Sequence, residues 1–483
     1  MKTLPRFRTI VLLLVALVLP WGGVARAYSL LTHEQLIDLT WQDSIVPLLL
    51  SRYPTLTPAQ LEEARAYAYG GCVIQDIGYY PFGDADFSNL THYVRSGDFI
   101  VNLFRNAKNA NELAFAVGAL SHYIGDSIGH SEATNIAVPV EFPKLLTVYG
   151  PEVNYAEGKH QHVQTEFAFD INEIAHHRLA PVHYLWHVGL EVPAQQLSLA
   201  YYQTYGLSED FGGKRGLRVN IKAYRFATRA FIPRIAYAVT LLHRSHEPAD
   251  PDTPEALAME QEVARIASEN DWQAYRRKPG IGTYSLAGLL FVLPKVGTLK
   301  MVDIKGPTPA TEVEYKHSVV LSAAELRRTL ARFTPPSAPH PTSAQSNVPA
   351  DAVQSQAPPQ DAPSAHLRPT TDGPRQSLDP RHPLPNRDLD TGRVVKPGGY
   401  LLTDSTFAKL LHLLTRQPAV SIPPGIKEEI QAYYSNPDAP ITTKKDPQQW
   451  AQVQADLQTL AKMPTSMEPT PYPTYGNDAG STQ

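Results

Sequence analysis

A helix-forming run, NANELAFAVGALS, leads directly into HYIGDSIGH at residues 122–130. The run is apolar enough to mark a buried helix, yet His122, Asp126 and His130 recur at every fourth position. Residues at i, i+4 and i+8 lie along one face of an α-helix. An imidazole or carboxylate left unpaired in an apolar interior is costly. Any fold available to this chain must therefore bring other polar groups against that face.

Candidates for those groups are few. HVQTE at 162–166 sets His162 and Glu166 four apart on a second predicted helix. Upstream lie His33, then Asp76 near a helix end in CVIQDIGYYP, then His92 opening a helix in NLTHYV. Zinc accepts His nitrogen and carboxylate oxygen, and i, i+4 pairs aim two donors at one ion. Cys72 is the single cysteine, so an internal disulfide and a Cys-rich zinc site are both excluded. One HxxxE or HxxxD pair is common on helices and says little. Two such pairs, with isolated His and Asp upstream, point to an all-α protein with a His/carboxylate metal centre.

The rest of the chain is read around that centre. MKTLPRFR is basic, TIVLLLVALVLPWGGV is apolar, and ARA at 25–27 is a small-x-small cleavage site. Residues 1–27 are expected to be a signal peptide, the mature chain to begin at Tyr28, and the protein to be secreted or periplasmic. Pro20 interrupts the apolar core and favours cleavage over a retained anchor. Residues 28–250 are expected to form a helical domain. Thr32 is the expected cap of its first helix; Thr57, Pro58 and Gln60 mark the start of the second. A helical extension follows at 251–333. Within it, YSLAGLLFVLPKVGTLKMV contains Pro294, Lys295, Gly297 and Lys300 and is read as buried or interfacial helix rather than a span. Residues 334–397 are rich in Pro, Ser, Ala and Gln and are expected to be a disordered linker. A C-terminal helical segment is expected at 398–463 and a disordered tail at 464–483. A net charge of -4 predicts no stable nucleic-acid complex and no polybasic membrane patch. The chain is expected to be a monomer.

The ordered set of polar residues resembles the zinc-dependent phospholipase C family, which shares its all-α multi-helix fold with the S1/P1-type nucleases. It is also similar to the zinc domain of glycosylphosphatidylinositol-specific phospholipases D. The family pattern runs N-terminal aromatic, His, Asp, His, HxxxD, His, then HxxxE or HxxxD. Here it reads Tyr28, His33, Asp76, His92, His122 with Asp126, His130, His162 with Glu166. The resemblance implies three zinc ions. Asp76, His92 and His122 would hold one, with Asp126 bridging; His130, His162 and Glu166 a second; Asp126, His33 and the free amine and carbonyl of Tyr28 a third. It implies hydrolysis of a phosphodiester by a metal-bridged water, with Asp76 as the catalytic acid–base group and a phospholipid as substrate, in peripheral contact with a membrane. This chain has HxxxDxxxH where the lipases and nucleases have HxxxDxxxxxH, which leaves His160 as a competitor in the second site. Glu166 in place of Asp is the lipase-like choice. Tyr79, Tyr80, Phe82 and Tyr93 are candidates for a headgroup pocket or for core. The competing functions are a single-strand nuclease and a non-catalytic binding protein with structural zinc.

Overall fold

The computed structural model describes residues 29–80, 83–209, 211, 221–243, 253–292, 304, 307–333, 382–416, 421–436 and 446–466. Among them there are helices and turns but no strand; the two β-bridges, Arg387 with Val394 and Ile422 with Thr465, are isolated. The all-α expectation is met. The expected signal peptide, Tyr28 and Phe82 lie outside the described residues, as do 334–381 of the expected linker and 467–483 of the tail.

Two helices set the frame. Ala110–Gly129 packs along Pro58–Gly71 at a distance that only glycine permits. A Cβ on Gly118 would lie 2.1 Å from the Ala68 carbonyl oxygen, and one on Gly71 2.1 Å from that of Phe115. The obstacles are backbone atoms that cannot rotate away. Pro58–Gly71 starts as its sequence demands: the Thr57 hydroxyl accepts from Gln60 N–H, and the Gln60 carbonyl accepts from Thr57 N–H. The first helix does not. It runs Leu30–Thr40, so Thr32 lies inside it, and the distant carboxylate of Asp170 accepts from Leu31 N–H at 3.1 Å and Thr32 N–H at 3.2 Å. A buried helix start needs such a partner, and tertiary structure supplies it where the local cap does not. Burial raises the Asp170 pKa to about 6 against these hydrogen bonds.

The core ignores the expected domain boundaries. One contiguous apolar cluster runs from Leu30 through Leu330 to Leu460. Pro309–Ala331, in the expected extension, packs on both Leu30–Thr40 and Ala110–Gly129, and its Tyr315 hydroxyl lies 2.8 Å from that of Thr32. The C-terminal helix Leu401–Arg416 packs on Ala85–Tyr93, where Lys409 pairs with Asp86 at 3.0 Å. Residues 382–397 of the expected linker are described and partly buried, with Leu389 and Asp390 both at 0 % exposure. Composition marked this stretch as poor in large apolar residues, but its Arg, Asn and Asp side chains and its main chain are held by hydrogen bonds to the helical body.

Candidate metal centre

The Gly-mediated approach of the two frame helices brings Cys72, just past the end of one, against His122 on the other. The Cys72 carbonyl accepts from His122 Nδ1 at 2.9 Å. A 3₁₀ turn, Gln75–Tyr79, follows and places Asp76; Gln75 pins it by donating to Ala119 O at 2.9 Å. His92 closes the helix Ala85–Tyr93 rather than opening one, and its Nδ1 lies 2.7 Å from Ser88 O. His130 starts a π-helical turn, His130–Thr134, at the end of Ala110–Gly129, and its Nδ1 lies 2.8 Å from Leu389 O. A carbonyl can only accept, so each of these three rings donates from Nδ1 and turns Nε2 inward.

The inward atoms form three groups whose donors lie within 4.8 Å of one another: His33, His122 and Asp126; Asp76, His92 and His122; His130, His162 and Glu166. The last two bring together residues expected to share a site, while the first sets His33 and Asp126 with His122, Tyr28 lying outside the described residues. Asp126 faces two of the groups with different oxygens. Its Oδ1 is 3.1 Å from His33 Nε2, while Oδ2 is 3.1 Å from His122 Nε2 and 3.4 Å from His92 Nε2. Both oxygens are nevertheless without a well-formed hydrogen bond, as are both oxygens of Asp76 and Nε2 of His130. Donor atoms that converge on one point are what a shared cation requires.

Charge points the same way. All the described members of the three groups are at most 1 % exposed. Among the described residues, Asp76 and Asp126 pair with imidazoles and with no Arg or Lys. Burial opposes charge on His92, but Asp126 and Asp76 beside it push its pKa up to about 10. The acids thus demand a cation at that spot, as proton or as metal. Burial also opposes charge on Asp126, and the surrounding His122, His33 and His92 hold it well below the carboxylate range. Burial and the neighbouring His122 hold His33 below its ordinary value. These residues fit zinc, and nothing in the donor set disfavours it.

The second group contains a residue that sequence reasoning missed. Asn135 Nδ2 donates to Asp390 O at 2.8 Å, which turns its Oδ1 to His162 Nε2 at 2.9 Å. His162 can then donate from Nε2, while its Nδ1 lies 2.7 Å from Glu166 Oε1. A ring set between two oxygen acceptors calls for positive charge there, as a second proton or as a metal. Asn135 had no signal in the sequence, because an isolated Asn in a helix carries no spacing. His160 is exposed and belongs to none of the groups, so it does not compete.

Residues 32–208 match the family model described as zinc dependent phospholipase C. This segment is similar to the zinc-dependent phospholipase C family. It spans His33 through Glu166, so every described donor of the three groups falls within it. Comparison with curated proteins and with solved structures gives no match.

The aromatic residues near the three donor groups are core. Tyr79, Tyr80 and Tyr93 are at most 3 % exposed, with the Tyr79 ring 5.4 Å from that of His92. Tyr79 packs with Tyr155 in a small cluster of its own, and Tyr80 packs on Tyr224.

Proposed function

We propose that the protein is an exported phosphodiesterase that hydrolyses phospholipids at a centre of three zinc ions held by Tyr28, His33, Asp76, His92, His122, Asp126, His130, His162 and Glu166. The observation that carries this reading is Asp126, whose two oxygens face two different donor groups. Zinc in such a centre supplies a nucleophilic water of pKa near ~7 and neutralises charge on the phosphoryl oxygens. Asp76 is the residue to orient that water and take its proton: both its oxygens are buried, lack hydrogen bonds and lie beside His92. No described helix is long and apolar enough to cross a membrane. Peripheral contact is supported instead by Ile281–Val292, which leaves Ile281 88 %, Tyr284 57 %, Phe291 75 % and Val292 79 % exposed.

The purified chain is to be assayed against phosphatidylcholine, phosphatidylinositol and single-stranded DNA, with zinc counted by elemental analysis. Three zinc ions and lipid hydrolysis bear the reading out. DNA hydrolysis alone would assign a nuclease. Zinc without turnover would assign the non-catalytic binding protein, a reading favoured by the burial of every described donor. Export is tested separately. N-terminal sequencing should find Tyr28 first, and a variant with one residue added before Tyr28 should lose one zinc, since an amide nitrogen is a poor donor where an amine is a good one. A mature start elsewhere, or full zinc in the extended variant, refutes the role of Tyr28.

A further inference from the structure

The chain returns to the metal centre far from the family segment. At 384–395 it crosses the ends of Ala85–Tyr93 and Ala110–Gly129. Leu389 N–H donates to His92 O at 3.1 Å, and Leu389 O accepts from His130 Nδ1, so this one residue is tied to the main chain of one candidate ligand and the ring of another. The turn that follows is built to be rigid. The Asp388 carboxylate accepts from Thr391 N–H at 2.8 Å and from its hydroxyl at 2.6 Å. Gly392 has φ +67° and sits so close to the long helix that a Cβ would lie 2.2 Å from Ser127 O.

That turn aims Asp390 into the centre. Its Oδ2 accepts from Tyr93 Oη at 2.9 Å and from Tyr400 Oη at 2.5 Å. Its Oδ1 is buried, has no hydrogen bond, and lies 3.9 Å from His130 Nε2, which has none either. Two atoms that far apart can share an ion, because zinc bonds of ~2.0–2.2 Å span up to ~4 Å between ligands. The same nitrogen is 3.8 Å from Glu166 Oε1, so Asp390 and Glu166 approach it at comparable range. The tyrosine hydroxyls fix the carboxylate through one oxygen and leave the other directed at the metal, the usual work of outer partners at a metal site.

We propose that Asp390 is a further ligand of the metal held by His130, His162 and Glu166, and that it fills the position through which a substrate phosphate would reach that ion. The segment 384–395 is then a plug carried by the chain itself. Its carboxylate and a phosphate oxygen are both anionic oxygen donors, so one must leave for the other to enter. The buried donors of the centre belong to the plugged form, and catalysis requires the plug to lift. This rests on the zinc centre proposed above.

The test is metal binding by the full chain, with zinc competed by a chelator and cobalt(II) used as a spectroscopic substitute. Asp390→Asn keeps the side-chain volume and an oxygen acceptor for Tyr93 and Tyr400 but is a poor metal ligand. It should weaken one zinc by ~10–100-fold, change the cobalt visible spectrum, and raise hydrolysis of a water-soluble short-chain phosphatidylcholine. Tyr400→Phe, which removes one of two hydrogen bonds and keeps the carboxylate, should change the spectrum and zinc competition less than Asp390→Asn does. Gly392→Ala lifts the turn without altering the carboxylate and should change the spectrum as Asp390→Asn does; it answers the question if Asp390→Asn does not fold. An unchanged spectrum and unchanged zinc competition in Asp390→Asn overturn the proposal, as does an equal change in Tyr400→Phe. A wild-type chain without zinc fails at the centre itself. Zinc bound normally in both wild type and Asp390→Asn fails at the plug alone.

Discussion

Asp98, His382 and Glu429 converge much as Asp76, His92 and His122 do, and by distance alone either trio could hold a metal. The difference is Arg95. Its guanidinium pairs with Asp98 at 3.0 Å and with Glu429, and His382 Nδ1 bonds Asp98 at 2.7 Å. Burial alone would raise the Asp98 pKa, but Arg95 and His382 hold it below the ordinary value. The cation is part of the protein, the hydrogen bonds are formed, and the cluster ties the C-terminal helix Ile426–Ser435 to the body. Around Asp76 and Asp126 the partners are inward-pointing imidazoles, with no Arg or Lys among the described residues. A buried acid cluster with its own arginine is an ion-pair network; one with only histidines awaits an ion.

The sharpest way to break this comparison is to neutralise one acid in each cluster. Asp126→Asn should cost the protein ~100-fold or more in zinc affinity, because it removes charge facing two groups, and elemental analysis should find fewer ions. Asp98→Asn should leave zinc content unchanged while lowering stability. Equal zinc in both variants would erase the distinction. Chelation comes next. Stripping zinc leaves acids facing each other without a counter-ion, and linkage at high occupancy is worth ~3–4 kcal/mol. The melting temperature should fall by roughly 5–10 °C, and not at all if the histidine-lined cluster is an ordinary network.

Smaller effects probe what positions the histidine-lined cluster. Gly118→Ala should destabilise by ~1–3 kcal/mol in urea unfolding, because the methyl group meets the Ala68 carbonyl. It should also loosen zinc, since the same approach sets the Cys72–His122 hydrogen bond; unchanged zinc affinity would separate the frame from the site. The smallest effect belongs to a buried acid of the arginine-paired kind. Glu312 is pushed up to about 8 by burial and by Glu173, against Arg178, Lys316 and a hydrogen bond from Asn172. A raised carboxyl pKa means the folded chain holds the proton more tightly. Its contribution is therefore full below about 4.5 and lost as pH rises through about 8. Glu312→Gln should flatten the decline of stability across that window, and an identical pH profile would show that Glu312 does not report burial.

Local features were legible in the sequence and long-range ones were not. The Thr57–Gln60 box was readable because both halves lie within one turn. The Thr32 cap was misread because Asp170, 138 positions away, does the capping. The helical pairs His122–Asp126 and His162–Glu166 stood out by spacing, whereas Asn135 and Asp390 have no periodic neighbour and look like ordinary polar residues. Composition failed at 382–397 for a related reason: it counts apolar side chains, and this segment is held by hydrogen bonds to a body folded elsewhere.

By itself the sequence determined an all-α fold and which residues of each helix face one way, since a 3.6-residue period converts spacing into direction. Which of those residues come together was decided by tertiary structure alone. His33 and Asp126, or His130 and Asp390, meet only because distant segments pack on the Ala110–Gly129 helix and the turn that ends it, and no local period encodes an approach between segments so far apart in sequence.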